Sequence, residues 1–267
     1  QCQMGIETII GGGNQFLVYG NQLRLKDFDA DWNGAGQSND AFFYMQAGSI
    51  ADGITARETG SFHIGSIFLL QGSNGTVKNC TAKGKRPIRL NGANNICRNS
   101  MLQCTDATSS AVTMGGDGGM IDSCIITSSD GGGINASAYG WNGFRGFYVK
   151  RTIINGCQSY GLLMGSTVTL NSTPELTSCI FANINGLGID YGGMSLVNLA
   201  AVGFYAQDCG FYNNTSGNVT SGFESLLDNA VSCTADPFYD SASGDFNLSN
   251  TAGGGEALRA SNKLIGN

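Results

Sequence analysis

Short apolar runs, each broken by one polar residue and often a cysteine, recur along this chain at spacings of 20 to 33 residues. Met120-Ile121-Asp122-Ser123-Cys124-Ile125-Ile126 sets the phrase. It returns at Val77–Thr81, Met101–Thr105, Ile153–Cys157, Leu176–Phe181, Ala206–Phe211 and Ala230–Thr234, and Cys2 begins the series. Leu25–Asp29 and Ile50–Ile54 fill two gaps without cysteine. Taking positions 2, 28, 53, 80, 104, 124, 157, 179, 209 and 233 as equivalent gives a mean step of roughly 25 residues, the self-similarity of a stacked repeat architecture. A second marker runs in phase, an apolar run closing on glycine, as in Phe16–Gly20, Phe68–Gly72, Ile88–Gly92 and Leu162–Gly165. Each coil therefore holds at least two short strands between Gly/Asn/Ser turns, with glycine available where a corner needs positive φ.

This pattern predicts an all-β fold, a single-stranded solenoid of about ten coils of roughly 25 residues over 1–248, followed by a tail or cap over 249–267. No window carries a clean helical stripe. The nearest is Ser195–Tyr205, whose Val202–Phe204 part reads as strand. No apolar stretch approaches the ~18–20 residues of a membrane span. With 41 glycines, 3 prolines and 41% hydrophobic residues, the composition excludes collagen and disorder. The net charge of −6 excludes nucleic acid as a partner. Gln1-Cys2 enters at a ladder position, so a missing upstream coil or a neighbouring chain is expected to complete the first rung.

Nine cysteines would ordinarily suggest disulfides. Here Cys80, Cys104, Cys124, Cys157, Cys179, Cys209 and Cys233 share a phase with Cys2, and Cys97 stands apart. They are read as a buried column of reduced thiols, small hydrophobes filling a narrow core. Asp29, Asp31, Asn33 and Gly34 approach a calcium-loop spacing, but no Glu occupies the twelfth place, and His63 is the only histidine. No metal or cofactor site is assigned.

Two stretches carry candidate binding chemistry. Lys83, Lys85, Arg86 and Arg89 crowd one coil, either as a solvated corner or as a site for acidic sugars. The insertion up to Lys150 holds Tyr139, Trp141, Phe144, Arg145 and Tyr148, aromatic faces beside cationic groups of the kind that bind sugar rings; half of these rings are also candidates for core. N-glycosylation sequons begin at Asn74, Asn135, Asn171, Asn213, Asn214, Asn218 and Asn247, and at Asn79, which is a poor acceptor beside a core cysteine.

The coil length, the strand-turn rhythm and the stacked Asn/Ser/Cys phrase resemble the right-handed parallel β-helix, the pectate-lyase-like superfold, over essentially the whole chain. Asp236–Asp240 and Gly244–Leu248 resemble the closing segment of bacterial and phage-like β-helix surface proteins. The polygalacturonase-like and pectin-methylesterase-like signatures are missing, and the nearest acidic group, Asp117, Asp122 and Asp130, is scattered. The resemblance implies fold more strongly than function. The expectation is a non-catalytic extracellular, cell-surface or virion-surface solenoid, a structural or adhesive subunit of a fibre, surface layer or spike, self-associating head to tail or as a trimer, with polysaccharide as a candidate partner. The alternative is a lyase or hydrolase on the same scaffold, using a carboxylate pair drawn from different coils.

Overall fold

The computed structural model describes residues 18–32, 41–59, 65–136, 146–165, 174–201 and 203–261. Cys2, His63, Tyr139, Trp141, Phe144, Arg145 and Asn171 lie outside the described residues.

The chain winds as a parallel β-helix with three faces. Six consecutive coils each supply three separate strands. These are Thr76–Lys78, Thr81–Gly84 and Ile88–Leu90; Ile96–Arg98, Met101–Cys104 and Ser110–Met114; Gly119–Asp122, Ile125–Ser128 and Gly132–Asn135; Phe147–Lys150, Ile153–Asn155 and Tyr160–Leu163; Glu175–Thr177, Ile180–Ala182 and Leu187–Asp190; and Ala206–Gln207, Gly210–Tyr212 and Gly217–Val219. In each coil we refer to these as the first, second and third faces. Before them, the long strands Arg24–Trp32 and Ile50–Glu58 bend across the first two faces, so that Ile50–Glu58 pairs with both Thr76–Lys78 and Thr81–Gly84. After them come Leu227–Asp228 and Val231–Ser232. The third face stacks nine strands. The count of about ten regular coils is therefore too high. The six regular coils are preceded by two in which one long strand serves the first two faces, and followed by the partial turn 227–232.

Strands alternate inward and outward side chains. On the third face Phe43, Phe68, Ile88, Val112, Ile134, Leu162, Ile189 and Val219 stack in register and are buried. The first face adds Ala51, Val77, Cys97, Ile121, Val149, Leu176 and Ala206, all fully buried. Phe43 and Phe68 stack at 5.0 Å between centroids and Phe181 and Phe211 at 5.4 Å, the offset geometry aromatic pairs favour.

The turn from first to second face is a single residue in the left-handed region, repeated nine times: Asp27, Gly53, Asn79, Asn99, Ser123, Arg151, Ser178, Asp208 and Asn229, with φ between 47° and 70°. Asn, Asp and Gly enter this region at least cost. Arg151 does not, and it is held there by Asp122 and by its Nε bond to Ser123 Oγ at 3.2 Å. The corner N–H donates to the carbonyl preceding the corner of the next coil, as in Asn99 N to Asp122 O at 3.0 Å and Arg151 N to Thr177 O at 3.1 Å.

The residue after the corner points inward and returns its side chain to the carbonyl two residues back. Cys80 Sγ donates to Lys78 O at 3.1 Å, Ser100 Oγ to Arg98 O at 2.8 Å and Cys124 Sγ to Asp122 O at 3.4 Å. Thr152 Oγ1 donates to Lys150 O at 2.8 Å, Cys179 Sγ to Thr177 O and Cys209 Sγ to Gln207 O, both at 3.3 Å. From Arg98 to Gln207 these carbonyls thus take two donors each, one from the preceding coil and one from their own. This column contains Cys80, Cys124, Cys179 and Cys209, with Ser100 and Thr152 as chemical equivalents. Cys104 instead ends a second-face strand opposite Gly84 and Ser128, Cys157 lies beyond Ile153–Asn155, and Cys233 beyond the last strand. The expected single column therefore divides, because short side chains with a donor at the β position are interchangeable here.

The stretch Leu196–Ala201 is an α-helix, α1, where the sequence pattern offered no helix, and Phe204 beyond it is buried outside any strand. Its turn inserts between third and first faces and buries Leu199 against the core. No helix among the described residues is long and apolar enough to cross a membrane.

As far as residue 261, the C-terminal stretch does not lie over the last coil. An antiparallel hairpin, Phe238–Asp240 and Asp245–Leu248, and a short helix, Gly255–Ala260 (α2), fold back along the outside of the second face. There Phe238 and Leu258 pack with Ile153, Ile180 and Ala182 in a second apolar cluster. A Cβ on Gly210 would crowd Leu258, so glycine admits the helix at that point. Arg259 locks the tail by donating to Leu248 O at 3.0 Å, Ser249 O at 2.6 Å and Asn250 Oδ1 at 2.7 Å.

The corner column predicts an order of stabilities. Thr152→Val, which removes the hydroxyl that donates to Lys150 O and accepts from the buried Cys124 N–H, lowers stability by about 1–3 kcal/mol, and Thr152→Cys, which keeps a weaker donor and acceptor, by less. Cys124→Asp places an unpaired charge in the core and prevents folding. Urea unfolding midpoints check the order; equal losses for the valine and cysteine variants would remove the carbonyl-capping role.

Candidate functional site

Of the five residues assigned to the aromatic insertion, the described structure places Tyr148 alone. It lies outward on the first face between Met120 and Glu175, half-buried, with the Lys150 ammonium 5.5 Å from its ring centroid. Lys150 also pairs with Glu175 at 2.8 Å. The ring is thus an outward, cation-flanked surface and not part of the core.

The basic run disperses. Lys83 is exposed on the second face, while Lys85 pairs with Asp106 at 3.4 Å and takes Glu58 Oε2 on its backbone N–H at 2.7 Å. Arg86 Nε donates to Ser109 Oγ at 3.2 Å, and Arg89 belongs to the third face. Burial opposes ionisation of Asp106, but hydrogen bonds from Thr108 and Ser109 and the nearby Lys85 outweigh it and hold the carboxyl down at about 2.

Seven of the eight described thiols are buried and none is in a disulfide. A hydrogen bond with Cys124, 3.9 Å away, together with burial pushes the Cys97 thiol well up. Burial raises Cys157 strongly and, with a bond to Cys209, Cys179 also. Half-buried Cys233 is pushed up to about 11 by burial and then Asp236. These groups stay protonated at neutral pH, and a protonated thiol is neither a nucleophile nor a metal ligand. Among the described residues no group of His, Cys, Asp and Glu is arranged to hold a metal.

Several sequon asparagines serve as ladder amides. Asn213 Nδ2 donates to Asn183 Oδ1 at 3.0 Å, and Asn183 in turn to Asn155 Oδ1 at 2.9 Å. Asn214 Nδ2 reaches Phe181 O at 3.2 Å, Asn218 Nδ2 reaches Ser232 Oγ at 3.0 Å and Asn247 Nδ2 reaches Asp245 Oδ1 at 2.8 Å. Asn135 is half-buried on its third-face strand. At exposed Asn74 the ladder bond uses Oδ1, not the Nδ2 that a glycan would modify.

The structure brings together a set of residues that the cysteine rhythm did not select. Two outward columns run side by side on the second face: Met101, Ile125 and Ile153, and Gln103, Thr127 and Asn155. At one end the tail covers them. At the other they remain open, and Met101 is 37% exposed. Between this open floor and the hairpin turn at 241–244, with Phe246 beside it, lies a groove of about 360 Å³. A second groove of about 480 Å³ runs over the corner residues Asn79, Asn99 and Ser123 and shares Met101 with the first. Comparison of the chain with family models, with curated proteins and with solved structures finds no match. The open second face, built from the coil register itself, is thus the candidate site. Its polar residues Gln103, Thr127 and Asn155 stand four beyond the left-handed corners Asn99, Ser123 and Arg151, a signal that the structure reveals and the sequence alone does not.

Two outcomes follow. Asp106 has a depressed folded-state pKa, so its contribution to stability is fully present above about pH 4 and is lost as pH falls through about 2. The melting-temperature gap between wild type and Asp106→Asn should be constant above that window and close below it. In the native protein, alkylation read by mass spectrometry should reach Cys233 before Cys97, Cys157 and Cys179; early labelling of Cys157 would contradict its burial.

Proposed function

We propose that this chain is a non-catalytic β-solenoid working outside the cell or on a virion surface, as a structural or adhesive subunit of a fibre, layer or spike. The observation that carries this reading is the state of the carboxylates. Hydrogen bonds from Lys78, at 2.8 Å, and Asn79, at 2.7 Å, hold Asp52 below the usual carboxylate range. Asp106 is held down as well, and so is Asp240, through Ser243. A glycosidase acid requires the opposite shift, toward a proton retained near neutral pH. Asp122 and Glu175 are likewise joined to Arg151 and Lys150 of adjoining coils. Asp240 caps the hairpin turn, and the other acidic groups named tie coil to coil, as the parts of a rod would be tied.

The same geometry supports self-association. The tail occupies the flank, and no described strand pairs with the outer edges of Gly217–Val219, Leu227–Asp228 or Val231–Ser232. Unpaired edges template further strands, and a head-to-tail contact need not close, which gives a filament.

Electron microscopy and light scattering should show filaments or a defined oligomer, and incubation with neutral and acidic polysaccharides should release neither reducing ends nor unsaturated uronates. A concentrated monomer would end the assembly reading, and product release would transfer the chain to the depolymerases.

A further inference from the structure

We propose that the groove between the second face and the C-terminal hairpin binds a neutral oligosaccharide; the inference rests on the adhesive reading above and names its ligand class. Three features of the groove support it. First, none of the residues lining it carries a charge; the nearest charge in the floor column is Lys83, one coil beyond Gln103 and outside the lining. Second, its floor is a polar column with apolar groups beside it. Gln103, Thr127 and Asn155 repeat once per coil, with Met101 next to Gln103 and Phe246 on the facing wall. Adjacent coils are ~4.8 Å apart, so amide and hydroxyl groups recur at short, regular intervals along the axis with apolar surface alongside. A pyranose chain presents the matching surfaces, hydroxyl edges and C–H faces. Third, donors are left for a ligand. Asn155 is 9% exposed and accepts from Asn183 through Oδ1, which leaves its Nδ2 to the groove. No hydrogen bond to a described residue occupies the side-chain polar ends of Gln103 and Thr127.

The wall is pre-formed. Phe246 stands edge-on to Phe238 at 5.3 Å, and Phe238 is buried on the second face. Asp240 caps the turn by accepting from Ser243 N at 3.1 Å. The volume of about 360 Å³ lies in the range of small-molecule sites.

Isothermal titration of the full chain with cellohexaose, laminarihexaose, maltohexaose and mannohexaose, and with hexagalacturonate as the anionic control, tests the inference. At least one neutral hexasaccharide should bind. The double variant Gln103→Ala/Thr127→Ala and the blocking variant Ser243→Trp should each weaken it by about tenfold or more, with the melting temperature unchanged. Trp141→Ala/Tyr148→Ala should bind as wild type. Binding lost only in that last variant would move the sugar to the aromatic insertion and overturn the groove while leaving the adhesive reading intact. Binding of hexagalacturonate alone, or of no neutral hexasaccharide, would also overturn it, whereas the adhesive reading stands or falls on particle morphology and product release.

Discussion

The structure depends on one repeated corner. A chain that turns sharply from one sheet face to the next must leave the β region for a single residue, and that residue's neighbours lose their place in the ladder. Here the loss is made good twice. The corner N–H reaches the next coil, and the N–H after it reaches a side-chain oxygen one coil on, as Cys80 does at Ser100 and Cys124 at Thr152. Buried main-chain groups left without partners cost a few kcal/mol each. Repetition of the same solution fixes the register of coil upon coil. Once that register is set, inward columns become continuous apolar strips and outward columns become ladders of ion pairs and amides.

The parallel β-helix was legible because this corner leaves a trace: a polar residue, a short side chain, then apolar alternation. The trace was only partly legible as cysteine. Ser100 and Thr152 do the work of Cys124 with better donors, so a rhythm read from sulfur alone slips by several residues at Cys104, Cys157 and Cys233. The left-handed position itself is filled by Asp, Gly, Asn, Ser and Arg, and no residue-type pattern covers all five. The helix α1 escaped because six residues hold fewer than two turns, too few for a periodic stripe.

The tail's place also had a signal, in the outward second-face column. It runs Thr55, Thr81, Met101, Ile125, Ile153, Ile180 and Gly210 along successive coils. A solvated column would remain polar. This one becomes apolar and then loses its side chain where Leu258 seats. Such a change of character marks the footprint of another segment. Without the corner register, however, those residues cannot be recognised as one column, so the tail's place on this face was not readable from the sequence.

Where the footprint ends, the apolar column continues for one coil beyond the cover, at Met101, and the neighbouring column turns from Ala182 to Asn155, Thr127 and Gln103. Packing alone explains the covered half. It does not call for Met101 in the open part, since outward threonine serves at Thr55 and Thr81 on the same sheet. An uncharged, partly apolar strip beside a fixed wall has chemistry that solvent exposure does not demand. The rigid register holds these groups at their spacing before any ligand arrives, so little ordering entropy remains to be lost on binding. Repeated along a filament, the same strip would present many equivalent sites on one axis, and weak individual contacts would add through multivalency.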